Sequence, residues 1–116
     1  MRILLVENDE AIQRTTSRHL VNSGFEVQAT PSGQQAIDLL RADSDHSIGC
    51  AIVDLSLSDI SGNQVIDWIQ DQRPDISIVV STGLRSFQPP RDVTILMKPY
   101  TLEELKQAVA PAPPHP

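Results

Sequence analysis

Four polar sets stand directly after apolar runs of strand length. Glu7-Asn8-Asp9 follows the run 3–6, Asp54 follows 50–53, Ser81-Thr82-Gly83 follows 76–80, and Lys98-Pro99 follows 93–97. Together they hold carboxylates, hydroxyls and one ammonium group. Carboxylate oxygens suit a hard cation, and an ammonium with a hydroxyl suits the oxygens of a phosphoryl group. Each residue alone has a bland reading: an aspartate after a strand is more often a turn or cap residue, Glu7 and Asn8 could cap a helix, and a lysine before a turn is usually solvated. Convergence is what favours chemistry, because in a parallel sheet the ligand site lies beyond the carboxyl ends of the strands.

The elements that would position these residues follow from periodicity. Strand-length apolar runs alternate with segments of helical spacing, the signature of a parallel sheet covered by helices. A first strand at 3–6 leads to a helix over about 10–22, with Asp9 as N-cap, Gly24 as stop, and Ile12, Thr15, His19 and Leu20 on one face. A weaker strand at 25–29 precedes a helix opened by Pro31-Ser32-Gly33, whose buried stripe is Ala36, Ile37 and Leu40. The run 50–53 is almost wholly apolar, as expected for a strand buried on both faces. Beyond Gly62 a helix carries Val65, Ile66 and Ile69 until Arg73-Pro74 ends it, with Trp68 at its surface or the core's margin. Strands at 76–80 and 93–97 follow. Between them Pro89-Pro90 removes donors, so 84–92 is expected to hold a loop or about one helical turn. Thr101 and Glu104 form the capping-box pattern of a last helix. Residues 111–116, Pro-rich and ending in His115-Pro116, are expected to be a frayed tail or the start of a linker, which leaves 1–110 as one domain.

Composition narrows the function. The 116 residues suit a single core, and 9 basic against 15 acidic side chains give a net charge of -6, which disfavours direct nucleic-acid contact. Cys50, the only cysteine, lies in an apolar run and reads as a small hydrophobe in a reducing compartment. The amino terminus turns acidic at Glu7 and no stretch is long enough to span a membrane, so the expectation is a cytoplasmic protein.

From Arg2 to about Ala110 the chain resembles the response regulator receiver domains of two-component signalling, most strongly over Val53-Asp54-Leu55-Ser56-Leu57-Ser58-Asp59-Ile60-Ser61-Gly62, with an aspartate and a loop glycine eight positions later. The resemblance implies a flavodoxin-like, doubly wound α/β fold with five parallel strands in the order 2-1-3-4-5, in which Pro89-Pro90 would leave the fourth helix shortened or absent. It implies that Asp54 takes a phosphoryl group from the phosphohistidine of a sensor histidine kinase or phosphotransfer protein. Glu7, Asn8, Asp54 and the carbonyl of Ser56 would hold Mg²⁺. Lys98 and Thr82 would contact phosphoryl oxygens, and a cis peptide at Lys98-Pro99 would turn the lysine inward. Ser81 competes with Thr82 for the hydroxyl's role, and the small residue that follows favours Thr82-Gly83. Output would be a conformational shift read by a downstream effector protein, with self-pairing left open.

Several positions depart from the family. Asn8 is neutral where an aspartate is usual, which implies weaker Mg²⁺ binding; Ser58 replaces a loop proline; Ile95 stands where an aromatic usually responds to the hydroxyl. These changes support a second reading, a degenerate receiver that serves as an unphosphorylated docking module. An aspartate-based phosphatase of the haloacid dehalogenase type is disfavoured because Ser56 occupies the position of its general acid. A nucleotide site is weaker still, since no glycine-rich phosphate loop follows the first strand. His19 reads as a packed histidine without a ligand partner.

Overall fold

The computed structural model describes residues 2–84, 90 and 92–109. Among these residues nine elements follow in order: β1 (Arg2–Val6), α1 (Glu10–Asn22), β2 (Glu26–Thr30), α2 (Gly33–Ala42), β3 (Ile48–Asp54), α3 (Gly62–Gln72), β4 (Ser77–Thr82), β5 (Val93–Met97) and α4 (Leu102–Val109). The strands are all parallel and form one sheet in the order β2-β1-β3-β4-β5.

Strand side chains alternate between faces, and the sequence places apolar residues on both. One face buries Leu4, Val6, Ala51, Val53, Ile78 and Val80 against Ala36 and Leu40 of α2 and Val65, Ile66 and Ile69 of α3. The other buries Ile3, Leu5, Cys50, Ile52, Val79 and Leu96 against Leu20 of α1 and Leu105 and Val109 of α4. Each such aliphatic side chain stabilises the fold by roughly 1.5–3 kcal/mol relative to an exposed one. Burial pushes the Cys50 thiol up to about 12, which keeps it an inert packing group.

Helix ends follow local chemistry. The Asp9 carboxylate accepts from the Ile12 amide at 3.0 Å, and Gly24 takes a φ of 95° just past the C-cap Ser23 of α1. Ser32 caps α2, a Ser61/Gln64 capping box opens α3, and Thr101 and Glu104 exchange bonds of 3.0 and 3.1 Å at α4. The buried face of α1 differs from the expected one: Thr15 is exposed and Thr16 is buried, completing an i, i+4, i+8 stripe with Ile12 and Leu20, and His19 is only half-buried. Trp68 is half-buried at the core's margin, with the Arg41 guanidinium 5.7 Å from its ring centre.

Arg73 does more than end α3. Its buried guanidinium pairs with Asp43 at 3.3 Å and Asp75 at 3.0 Å, tying the C-cap of α2 to the start of β4. Between β4 and β5, Leu84, Pro90 and Asp92 are not helical. Residues 85–89 and 91, on which the expectation of a shortened fourth helix rests, lie outside the described residues, as does the expected tail at 111–116. No helix among the described residues is long and apolar enough to cross a membrane.

Candidate functional site

The chain leaves β1 toward β2 on one side and β3 on the other, so a crevice opens at the carboxyl ends of β1 and β3. Glu7 and Asp54 stand at those two ends, both 2 % exposed. Asp54 is the last residue of β3 rather than the first residue after it, and β4 likewise runs on through Ser81 and Thr82. The sheet itself therefore fixes these side chains.

Lys98 closes the group. Its Nζ lies 2.9 Å from Glu7 Oε1 and 3.2 Å from Asp54 Oδ2. Its backbone N–H donates to the Thr82 carbonyl at 2.8 Å, which places the residue beside the end of β4, and the Lys98-Pro99 peptide is cis. The remaining carboxylate oxygens take backbone donors, Asp54 Oδ1 from Ser56 N–H at 3.0 Å and Glu7 Oε2 from Asp9 N–H at 3.1 Å. Burial first, and then the hydrogen-bonded neighbour Asp54, raise the Glu7 pKa, although Lys98 pulls the other way. Burial works against the charge on Lys98, but Glu7 and Asp54 outweigh it and hold the lysine above its ordinary value.

Glycine at position 62 has a steric cause. A Cβ there would sit 2.5 Å from the Asp54 carbonyl oxygen and 2.7 Å from Leu55 Cα, so α3 begins in direct contact with the backbone that carries Asp54. Asp59, in the same loop, accepts the Gly33 and Gln34 amides at 2.9 Å each, and these bonds, the Gln34 amide foremost, lower its pKa to about 2. The loop after Asp54 is thereby anchored to the start of α2, although Ser58 supplies no proline stiffness.

The remaining expected residues lie at the rim or beside the group. Asn8 and Ser56 are exposed. Thr82 is buried, and its Oγ1 accepts from the Leu84 amide at 3.0 Å. Ser81 is in register with Asp54 across β3 and β4. No group of three or more His, Cys, Asp and Glu side chains among the described residues is placed to hold a metal. One contact near the site had no sequence signal: Tyr100 Oη lies 2.6 Å from Thr16 Oγ1, joining the segment after Lys98-Pro99 to α1 across 84 positions.

A fold of this order with acids and a lysine at its carboxyl edge defines a class, and sequence comparison agrees. Residues 3–110 match the model of the response regulator receiver domain. The chain belongs to that family, the receiver domains of two-component signalling. It is 28% identical over 112 residues to the response regulator MprA of Mycolicibacterium vanbaalenii, covering 90% of this chain and 47% of that protein. It is 31% identical over 88 residues to the cell cycle response regulator CtrA of Brucella ovis, covering 76% of this chain and 37% of that one. The chain thus spans about half the length, or less, of these curated relatives. Among solved structures, a response regulator receiver protein from Sinorhizobium medicae superposes with a TM-score of 0.86 at 27% identity, covering 95% of this chain and 91% of the other. The response regulator TrrA of Thermotoga maritima, solved in complex with Mg(2+)-BeF, shares the fold with a TM-score of 0.83 at 22% identity, covering 93% and 95%.

Proposed function

We propose that this receiver domain is a phosphorylation switch in which Asp54 takes a phosphoryl group from a histidine kinase or phosphotransfer protein in the cytoplasm. The observation that carries the reading is the position of Lys98 Nζ, within 3.2 Å of both the Asp54 and the Glu7 carboxylates. In the transfer, an Asp54 oxygen bonds to phosphorus as the P–N bond of the donor imidazole breaks, and the imidazole nitrogen leaves with the electron pair and takes a proton. Lys98 follows the charge from the carboxylate to a phosphoryl oxygen. Ser56 N–H holds the other Asp54 oxygen, which aims the attacking one outward. Thr82 releases the Leu84 amide and turns its hydroxyl to a phosphoryl oxygen, moving the chain beyond β4, and that movement is the signal a downstream effector reads.

The donor set fits Mg²⁺. Two buried carboxylates stand together without a soft ligand, and Glu7, Asp54 and the Ser56 carbonyl would hold the ion, with the Asn8 amide oxygen at the rim. When bound, the ion neutralises the repulsion between Asp54 and the incoming oxygens. With one acid fewer than the family usual, affinity is weak and phosphorylation requires high Mg²⁺. Within these residues the net charge of -6 disfavours direct contact with nucleic acid.

A second reading, an unphosphorylated docking module, is favoured by one observation: Asn8 is neutral and exposed, so no three-acid group forms among the described residues. Incubation with phosphoramidate and MgCl₂ separates the two by intact mass. Gain of one phosphoryl group, absent in Asp54→Asn, supports the switch. No gain at any Mg²⁺ concentration leaves the docking module.

A further inference from the structure

Ser81 is polar in a place built for an apolar side chain. It follows Val79 on the face of the sheet that packs on α1 and α4, in register with Asp54 on one side and Leu96 on the other. It is 1 % exposed, and among the described residues its Oγ is the one buried side-chain polar atom without a hydrogen-bond partner. Its backbone is locked beside Asp54, since its carbonyl accepts from Leu55 N–H at 3.2 Å. By alternation, Ser81 and Asp54 project from the same face, as does Lys98, two residues beyond Leu96. Thr82 projects from the opposite face and is occupied by the Leu84 amide. The two neighbouring hydroxyls therefore stand in different surroundings.

An unpaired buried hydroxyl is destabilising on its own account, and a partner that arrives later in the cycle gives it a use. Both Asp54 oxygens are occupied at rest, by Ser56 N–H and by Lys98. Once Lys98 turns to a phosphoryl oxygen, one carboxyl oxygen loses its donor. Ser81, in register with Asp54 and projecting from the same face, is the neighbouring hydroxyl that a change of staggered rotamer can turn toward it.

We infer that Ser81 donates its hydroxyl proton to the Asp54 oxygen that Lys98 vacates, the one bonded to phosphorus, and so sets how long the acyl phosphate lasts. This deepens the phosphorylation reading and rests on it. In hydrolysis the water oxygen bonds to phosphorus, the P–O bond to Asp54 breaks, the carboxylate leaves with the electron pair, and the water's proton goes to the departing phosphate or solvent. A hydrogen bond that strengthens as charge returns to the carboxylate speeds this step. The serine thereby keeps the phosphorylated state short-lived.

The test compares wild type, Ser81→Ala and Ser81→Thr, each labelled with phosphoramidate and MgCl₂ and followed by intact mass after the donor is removed, with thermal melting in parallel. Ser81→Ala is expected to melt at or above the wild-type temperature, having lost an unpaired polar atom, while its phosphoryl group decays about threefold to tenfold more slowly. Ser81→Thr, which keeps a hydroxyl, is expected to retain the wild-type lifetime. A higher melting temperature with an unchanged lifetime in Ser81→Ala would overturn the inference and leave Ser81 a polar residue in the core. A long lifetime in both variants would also overturn it, pointing to side-chain volume rather than the hydroxyl. If wild type gains no phosphoryl group, the phosphorylation reading itself fails, an outcome separate from either of these.

Discussion

Asp54→Asn changes one atom and one charge, and it is expected to make the protein more stable while abolishing phosphorylation. One ammonium group serves two buried carboxylates, at 2.9 and 3.2 Å. At an effective dielectric of about 20, unit charges ~4 Å apart interact by ~4 kcal/mol, so the lost attraction to Lys98 and the lost repulsion from Glu7 nearly cancel. What remains is relief from burying the Asp54 carboxylate, whose side chain is 3% exposed and whose desolvation costs several kcal/mol. Against this stands the weakening of the charge-assisted bond from Ser56 N–H, by ~1 kcal/mol. The balance is a gain of about 1–3 kcal/mol, or roughly 3–10 °C in Tm for a domain of this size. Glu7 adds a pH signature. Because its pKa is raised in the fold, its contribution is fully present below its ordinary value of 4.5 and is lost as pH rises through the folded value. Asp54→Asn removes one cause of that rise, so stability should fall less steeply with pH above 4.5 in the variant than in wild type. Urea unfolding in EDTA across that range, with melting at pH 7.5, measures both effects. An Asp54→Asn variant that melts lower than wild type, or loses stability with pH just as steeply, refutes the shared-lysine argument.

Asn8→Asp restores a third acid beside Glu7 and Asp54 and should tighten Mg²⁺ about tenfold by calorimetry; Trp68 is a poor reporter, lying on α3 beside Arg41. Unchanged affinity would place Asn8 away from the ion. Gly62→Ala forces a Cβ to within 2.5 Å of the Asp54 carbonyl and should cost ~1–3 kcal/mol in urea unfolding, with slower phosphorylation because the Asp54 backbone must shift. Asp43→Asn leaves Arg73 with Asp75 alone and should cost ~2–3 kcal/mol at pH 7. Burial opposes ionisation of Asp43, but Ser47, Ile48 and Arg73 overcome it and hold its pKa well below the usual carboxylate range. The stability this carboxylate contributes is complete above its ordinary value of 3.8 and fades as pH falls through the folded one, so the gap between wild type and variant should narrow in acid.

The apolar runs made the sheet legible: β5 runs from Val93 to Met97, as read from sequence, and the stripes of α2 and α3 are the expected ones. Strand ends were less legible because the polar residues of the site break the pattern there, so Asp54, Ser81 and Thr82 read as loop although the ladder includes them. Thr15 and Thr16 have the same chemistry, and Thr16, in step with Ile12 and Leu20, is the one buried and bonded to Tyr100 far along the chain. Arg73 read as a helix stop because its role depends on Asp43, which no local spacing reveals. The convergence of Glu7, Asp54 and Lys98 was legible from their strand-end positions and from the family likeness. That Lys98 bridges both acids, and that Ser81 is left without a partner beside them, required side-chain geometry.

If the sheet's carboxyl edge makes Asp54 the residue that carries phosphate, reduction of the acyl phosphate locates it there. Borohydride reduces an acyl phosphate to the alcohol, so treating the phosphoramidate-labelled protein and mapping its peptides reads the acceptor directly. Homoserine is expected at position 54, in a fraction of chains that rises with Mg²⁺. Reduction at Glu7 or Asp59 instead, or a stable phosphoryl adduct with residue 54 unmodified, would contradict it.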